Sequence, residues 1–301
     1  MNPYQQISAA DDRVGESPVW SVQEQVLYWV DIERHLIRRA PLVPGAVVQS
    51  WKLPQRVGCI ALATDGRVVA AMEDQIAAVR LLPEGAIELQ TLVAAKLPAA
   101  NMRFNDGRCD GQGRLWVGTM VMDMSLASAL GGLYCLDERG LTGPYVSGLR
   151  TPNGLGFSPD GHTLYLSDSH PTVQKIWAFD FDLHTGELSE RRDFIDMNPL
   201  PGRPDGAAVD ARGHYWICGN DAGQIHCFEP SGRLEKSLFV PFPKPSMCAF
   251  AGPDLRTMAV ASIKPADPSA DPLGLSGALL ALSDVGQGQP EPLFSRFPRL
   301  A

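Results

Sequence analysis

Four oxygen-bearing residues recur along this chain, each a short distance before an apolar run. They are Glu16 in GESPVW, Asn105 in MRFNDGR, Asn153 in TPNGLGF and Asp205 in RPDGAAV. Two carboxylates and two amide carbonyls form a hard-oxygen ligand set, which suits Ca²⁺, Mg²⁺ or Mn²⁺ better than a softer metal. The set would leave coordination positions for water, as an open catalytic metal site does. A single Asx-Gly pair is most simply a turn, so the prediction depends on all four residues meeting.

The spacing of these residues indicates how they would meet. Gly58 and Met247 occupy the equivalent place, and successive spacings from Glu16 to Met247 are 42, 47, 48, 52 and 42 residues. Runs of strand length rich in Val, Ile, Leu, Tyr and Trp lie between them, such as QVLYWVD, RLWVGTM and HYWICGN. Six units of this size, each of about four strands, predict an all-β fold. The fold expected is a six-bladed β-propeller with a metal site in its central channel, because the innermost strands of a propeller converge there.

We expect one propeller domain over residues 1–301, with a short helical piece at 86–100 as its main irregularity. The net charge is -8 and no basic stripe occurs, which argues against a nucleic-acid partner. No uncharged apolar stretch of about 18 residues is present, so we expect no membrane span.

The compartment is predicted from the first residues and the cysteines. The first residues lack the features of a secretory signal. The six cysteines form no CxxC pair, and we expect reduced thiols in a cytoplasmic protein. Nothing in the sequence indicates an oligomeric state.

Five motifs occur in an order that resembles the gluconolactonase/regucalcin (senescence marker protein) family of sugar-lactone hydrolases. They are GESPVW, NMRFNDGRCDGQGRLWVGTM, TPNGLGFSPDGHTLYLSDS, PDGAAVDARGHYW and CAFAGPDLRTMAV. The resemblance extends from about residue 14 to 285. It implies a six-bladed propeller with one divalent metal ion, which hydrolyses an aldonolactone to the aldonic acid. Carried over by position, it implies Glu16, Asn153 and Asp205 as the metal ligands.

The same resemblance assigns residues to the substrate. Arg103 and Asn105 match the family's RxND pattern and would contact the sugar lactone. Asp123, in GTMVMDM, stands where the family has a sugar-binding glutamate, and its shorter side chain would alter which sugar fits. Asp205 would serve both as metal ligand and as the general base for the attacking water. The alternative in which Asp205 is a ligand only stays open.

Two other functions are compatible with these residues. One is a different metal-dependent esterase or organophosphate hydrolase on the same propeller, since fold alone does not choose the substrate. The other is a non-enzymatic calcium-binding protein. Arg103 beside Asn105 favours a polyhydroxylated substrate, so a small sugar lactone is the expected partner. Ca²⁺ is the first expectation for the metal, with Zn²⁺, Mn²⁺ or Mg²⁺ as alternatives.

Overall fold

A computed structural model of the protein describes residues 4–299. Twenty-four strands form six antiparallel sheets of four strands each, which confirms the predicted six-bladed propeller. The chain begins with β1 (Tyr4–Gln6) and then builds three blades from consecutive strands. Blade 1 contains β2 (Gly15–Ser21), β3 (Val26–Asp31), β4 (Leu36–Ala40) and β5 (Gln49–Lys52). Blade 2 contains β6 (Cys59–Leu62), β7 (Val68–Ala71), β8 (Gln75–Leu81) and β9 (Ile87–Ala94). Blade 3 contains β10 (Met102–Cys109), β11 (Leu115–Val121), β12 (Gly131–Asp137) and β13 (Gly140–Leu149).

The second half of the chain repeats this arrangement. Blade 4 contains β14 (Pro152–Phe157), β15 (Thr163–Asp168), β16 (Lys175–Phe181) and β17 (Leu188–Asp196). Blade 5 contains β18 (Arg203–Val209), β19 (Tyr215–Asn220), β20 (Gln224–Phe228) and β21 (Leu234–Phe239). Blade 6 contains β22 (Pro245–Ala251), β23 (Thr257–Ser262) and β24 (Leu280–Leu282). Three single-turn 3₁₀ helices lie in loops, at Pro83–Gly85, Met124–Leu126 and Pro268–Ala270.

The ring is closed by the N-terminal strand. β1 is the outermost strand of blade 6, where Tyr4 pairs with Leu282 and Gln6 with Leu280. Around the axis, each of the six innermost strands contacts the next, in the cycle β2, β6, β10, β14, β18, β22 and back to β2. The first and last parts of the chain are therefore held together in one sheet, which leaves no open end to the ring.

The hydrophobic core lies between the blades. Trp116 and Trp216, on the second strands of blades 3 and 5, are almost fully buried. Trp216 meets Phe250 of blade 6 edge to face, with ring centroids 6.2 Å apart. Because neighbouring blades cover both faces of each sheet, the second strands have nearly continuous apolar sequences.

The predicted helical piece at 86–100 is wrong. Residues Ile87–Ala94 form β9, the outermost strand of blade 2, which pairs with β8 from Leu81↔Ile87 to Gln75↔Ala94. The edge position explains the weak sequence signal. An outer strand faces solvent along much of its length, so its apolar residues do not form a clear pattern.

The two ends of the channel differ. We call the end where the inner strands begin the upper face, and the end where they finish the lower face. Residues 284–299 run across the lower face: the Phe294 amide donates to Leu62 O, and the Ser295 amide to Gly113 O. Glu291 from this tail forms an ion pair with Arg108 of β10, which closes the lower part of the channel with protein. Among residues 4–299, no helix is both long and apolar enough to span a bilayer.

Gly58 allows the backbones of blades 2 and 3 to pack closely against each other. A Cβ atom there would lie 2.3 Å from Phe104 O and 2.8 Å from Asn105 O, which are backbone atoms that cannot rotate away. We therefore expect Gly58→Ala to lower the free energy of unfolding by about 2 to 3 kcal/mol. Gly111→Ala is the matched control, because its Cβ would make only an ordinary contact of 3.5 Å with Leu183. Urea unfolding of both variants would measure this, and equal stabilities would contradict the close packing at Gly58.

Candidate functional site

The innermost strands carry an irregularity where the sequence predicts site residues. The pairing register shifts between Glu16 and Val19, between Phe104 and Gly107, between Asn153 and Gly156, and between Pro204 and Ala207. Such bulges re-aim side chains that regular alternation would send to the other face. The same kind of β-bulge therefore redirects the candidate site residues in four of the blades.

Asp205 is buried in the channel wall. Its Oδ2 accepts a hydrogen bond from Nδ2 of Asn220, the last residue of the neighbouring strand β19. Burial raises the pKa of Asp205 to about 7, although the charge of Arg203 and the Asn220 hydrogen bond favour the ionised form. A carboxylate in this position has one oxygen anchored and one left for a ligand.

Glu16 lies close enough to Asp205 for the two charges to repel. The pKa of Glu16 is raised well above its usual range, first by burial and then by the negative charges of Asp205 and Asp106. Its Oε2 accepts from the Ser17 amide at 3.2 Å. Ser17 has a φ of 49°, which lies in the left-handed region that non-glycine residues rarely adopt. The chain bends at this residue, directly after Glu16, and the bend directs the Glu16 side chain.

A row of hydrogen bonds joins the other predicted residues across blades 3 and 4. Nη1 of Arg103 donates to Oδ1 of Asn105 at 2.7 Å, and Nδ2 of Asn105 donates to Oδ1 of Asn153 at 3.0 Å. Nδ2 of Asn153 then donates to Oγ of Ser169 at 2.8 Å. This row holds both side-chain amides in fixed orientations, with Oδ1 of Asn105 toward Arg103 and Oδ1 of Asn153 toward Asn105. Within the described residues, Arg103 makes its hydrogen bonds through Nη1 alone, which leaves Nε and Nη2 for a ligand.

Two buried residues near these side chains were missed by the sequence reasoning. Asp106 is 7% exposed, and its Oδ2 accepts from the Leu155 amide at 2.8 Å. Oδ1 of Asp106 and Oδ1 of Asn220 are buried without a hydrogen-bond partner among residues 4–299. Asp106 could have been found from its place directly after Asn105 in the sequence. Strict alternation along a strand, however, predicts that its side chain points away from the channel. The bulge in β10 removes that alternation.

Gly58 and Met247, which occupy the equivalent place in the other two blades, contribute to packing between blades. Gly58 gives the close approach described above. Met247 packs against Gly206, where an added Cβ would lie 2.4 Å from the methionine side chain. The predicted convergence of equivalent positions therefore yields four polar residues and two packing residues.

Asp123 lies apart from this cluster. It is exposed in the loop after β11, where its Oδ1 accepts from the amide and the hydroxyl of Ser125 at 3.0 and 2.6 Å. The loop is on the upper face and is tied to blade 4 by His170, whose Nε2 lies 3.1 Å from Met124 O. Asp123 thus caps a 3₁₀ turn at the channel mouth.

The donor set fits a hard divalent cation. Glu16, Asp205 and the Asn153 carbonyl offer oxygen ligands, and a cation between half-buried Glu16 and buried Asp205 would offset the repulsion of the two acids. Over residues 4–299, no three side chains of the His, Cys, Asp and Glu types are arranged to hold a metal ion.

Comparisons with known proteins match this chain over most of its length. The family model described as SMP-30/Gluconolactonase/LRE-like region matches residues 14–264. The chain is 35% identical to 6-deoxy-6-sulfogluconolactonase of Pseudomonas putida, over 94% of this chain and 95% of that protein. It is 32% identical to pentonolactonase XacC of Haloferax volcanii, over 93% and 94%. The crystal structure of regucalcin from Agrobacterium tumefaciens, titled a calcium-binding protein, superposes with a TM-score of 0.88 at 25% identity, covering 99% of this chain and 97% of that one.

Proposed function

Because the chain belongs to the SMP-30/gluconolactonase/LRE-like family, we propose that it is a divalent-metal-dependent hydrolase that opens a sugar lactone to the aldonic acid. Two observations support the proposal: the charges of Glu16 and Asp205 act on each other, and hydrogen bonds join Arg103, Asn105 and Asn153. Relatives named sulfogluconolactonase and pentonolactonase support the substrate class.

The metal would be held by Glu16, Asn153 and Asp205, with Ca²⁺ as the first expectation. When bound, a divalent ion polarises the lactone carbonyl and lowers the pKa of a coordinated water. The name of the Agrobacterium tumefaciens structure supports calcium in that relative. Zn²⁺, Mn²⁺ and Mg²⁺ remain the alternatives to be tested on this chain.

The chain's own residues position the substrate and move the proton. Arg103 and Asn105 orient the lactone ring and its hydroxyls, since Nε and Nη2 of Arg103 are available for them. Asp205 takes the proton of the attacking water on its carboxylate, which Asn220 orients through Oδ2. Water adds to the carbonyl carbon, the bond to the ring oxygen breaks, and that oxygen takes up the proton to leave a hydroxyl group. Asp123, at the channel mouth, is proposed to contact the outer part of the sugar.

Removal of the metal tests this proposal. After treatment with a chelator, we expect acid release from aldonolactones to fall to the spontaneous rate, and to return when Ca²⁺, Mn²⁺ or Zn²⁺ is added. Glu16→Gln should weaken binding of the restoring metal by at least about tenfold, because it removes a ligand while the core between the blades stays intact. Glu88→Gln, which changes an exposed glutamate paired with Arg80, is the matched control.

The outcomes separate the candidate functions. Restored lactone hydrolysis supports the lactonase. Hydrolysis of aryl esters or organophosphates without lactones would favour the other hydrolase, and metal binding with no hydrolysis would favour the calcium-binding protein. Unfolding of Glu16→Gln would contradict the assignment of Glu16 to the site.

A further inference from the structure

Charges at the channel mouth are distributed unevenly. On the side of blades 5 and 6, the carboxylate of Asp221 lies between two cations: Nε of Arg203 donates to its Oδ2 at 2.7 Å, and Nζ of Lys244 to its Oδ1. We call these three residues the basic cluster. On the side of blades 1 and 2, Arg56 lies between Glu33 and Glu73, at 3.0 and 3.1 Å. The basic cluster thus carries one excess positive charge, and the group of Arg56, Glu33 and Glu73 carries one excess negative charge.

The basic cluster is built onto the catalytic residues. Arg203 opens β18 two positions before Asp205, and its Nη1 donates to Ser169 O at 3.2 Å. The hydroxyl of the same Ser169 holds Asn153. Asp221 directly follows Asn220, whose amide anchors Asp205. The basic cluster is therefore connected to both Asn153 and Asp205, two of the proposed metal ligands, through the contacts of Ser169 and Asn220.

The cluster has unused donors toward solvent. Within residues 4–299, Arg203 makes no hydrogen bond through Nη2, and Lys244 uses one of its three N–H donors, to Asp221. The side chains of Arg203 and Lys244 are 21% and 27% exposed, so part of each is accessible to solvent. An oxyanion could receive charge-assisted hydrogen bonds from both residues at once.

Arg203 is near enough to Asp205 to meet the far end of the same small substrate. The two residues are two positions apart on β18, and the charge of Arg203 favours the ionised form of Asp205. A lactone whose carbonyl lies at Asp205 would therefore have Arg203 within reach of a substituent at its other end.

We propose that Arg203 and Lys244 form a subsite for an anionic group at the end of the lactone opposite its carbonyl, a carboxylate or a sulfonate. This inference rests on the proposed lactonase activity and names the class of lactone that the site prefers. Asp221 competes with the substrate anion for the same two cations, and thereby sets how strong the preference is.

The test compares substrates that differ only at this end. D-Glucaro-1,4-lactone and D-glucono-1,4-lactone differ by a carboxylate in place of a hydroxymethyl group, and 6-deoxy-6-sulfoglucono-1,5-lactone is compared with D-glucono-1,5-lactone. For each pair, the anion preference is the ratio of the two kcat/KM values. The wild type should favour the anionic member, and the preference should decrease as NaCl is added. The two pairs show whether carboxylate or sulfonate is the better fit.

Two substitutions should change the preference in opposite directions. Lys244→Gln should lower it at least about fivefold, and Asp221→Asn should raise it, because the competing carboxylate is lost. Lys175→Gln, which removes a lysine paired with Asp193 in blade 4, should leave the preference unchanged. Circular dichroism and melting temperatures would establish that the variants are folded.

The outcomes distinguish the two proposals. Hydrolysis of both members of each pair, with a preference that neither Lys244→Gln nor Asp221→Asn alters, would overturn the subsite and leave the lactonase intact. No hydrolysis of any lactone by the metal-loaded protein would overturn the lactonase and the subsite with it.

Discussion

Replacing Asp205 with asparagine is expected to lower kcat/KM for lactone hydrolysis by at least about 1000-fold, without destabilising the metal-free protein. The activity falls because the variant loses both a metal ligand and the proposed general base. Stability is retained because asparagine has the same shape as aspartate and removes a buried negative charge that repels Glu16. Initial rates and calorimetric melting of the metal-free protein would measure the two effects.

Asp137→Asn is the matched control for Asp205→Asn. Asp137 is buried on blade 3 and forms an ion pair with Arg139, so its neutralisation should lower stability and leave the activity of the folded protein unchanged. An unchanged kcat/KM for Asp205→Asn would show that Asp205 has no role in the reaction.

The pH dependence of Asp205→Asn distinguishes the two roles considered for this residue. With the metal site saturated, loss of a general base should remove the acid limb of the kcat/KM profile. If the saturated variant stays active with an unshifted acid limb, Asp205 is a ligand only.

The second large effect concerns stability, at Asp110. This carboxylate is fully buried at the end of β10, where it accepts from Nε of Arg114 at 2.6 Å and from Nε1 of Trp116 at 2.8 Å. Asp110→Ala should lower the free energy of unfolding by about 3 to 5 kcal/mol, because the buried guanidinium and indole N–H lose their partner. Urea unfolding with an unchanged m-value would measure the loss.

Asp160→Ala is the comparison for Asp110→Ala. Asp160 stands in the corresponding Asp-Gly turn of blade 4, but it is exposed, and among residues 4–299 its side chain accepts only from the Ser158 hydroxyl and the His162 amide. Asp160→Ala should therefore lower the free energy of unfolding by about 1 kcal/mol or less. Similar losses for the two variants would mean that burial of the Asp110 network contributes nothing to stability.

Blade 5 repeats the Asp110 arrangement and shows why the turn motif recurs. Asp210 accepts from the His214 amide at 2.9 Å and from Nε1 of Trp216 at 3.2 Å. The sequence pattern of an aspartate followed six residues later by tryptophan therefore encodes a buried cap on the second strand. Both caps lie toward the lower face, away from Asp205, so their loss should not alter the chemistry of the folded protein.

The sequence by itself determined the architecture and identified the candidate residues of the central site. Turns and apolar runs are local features, and their regular spacing from Glu16 to Met247 was sufficient to predict six blades and a shared channel. Glu16, Asn105, Asn153 and Asp205 could be named because each occupies the same place in its repeat. The error at 86–100 arose on a solvent-facing edge strand, where the local pattern is weakest.

Only the tertiary structure decided the features that depend on residues distant in the chain. The bulge in β10 breaks the strand alternation at Asp106, whose charge acts on Glu16 and Asp205, and Asn220 reaches Asp205 from the neighbouring strand. Closure of blade 6 by β1 and closure of the channel by Glu291 join segments from opposite ends of the chain. The basic cluster brings Arg203, Asp221 and Lys244 together from separate positions in the sequence. Hydrophobic periodicity specifies which residues face a blade's neighbours, but pairing across the channel is set by the geometry of the closed ring.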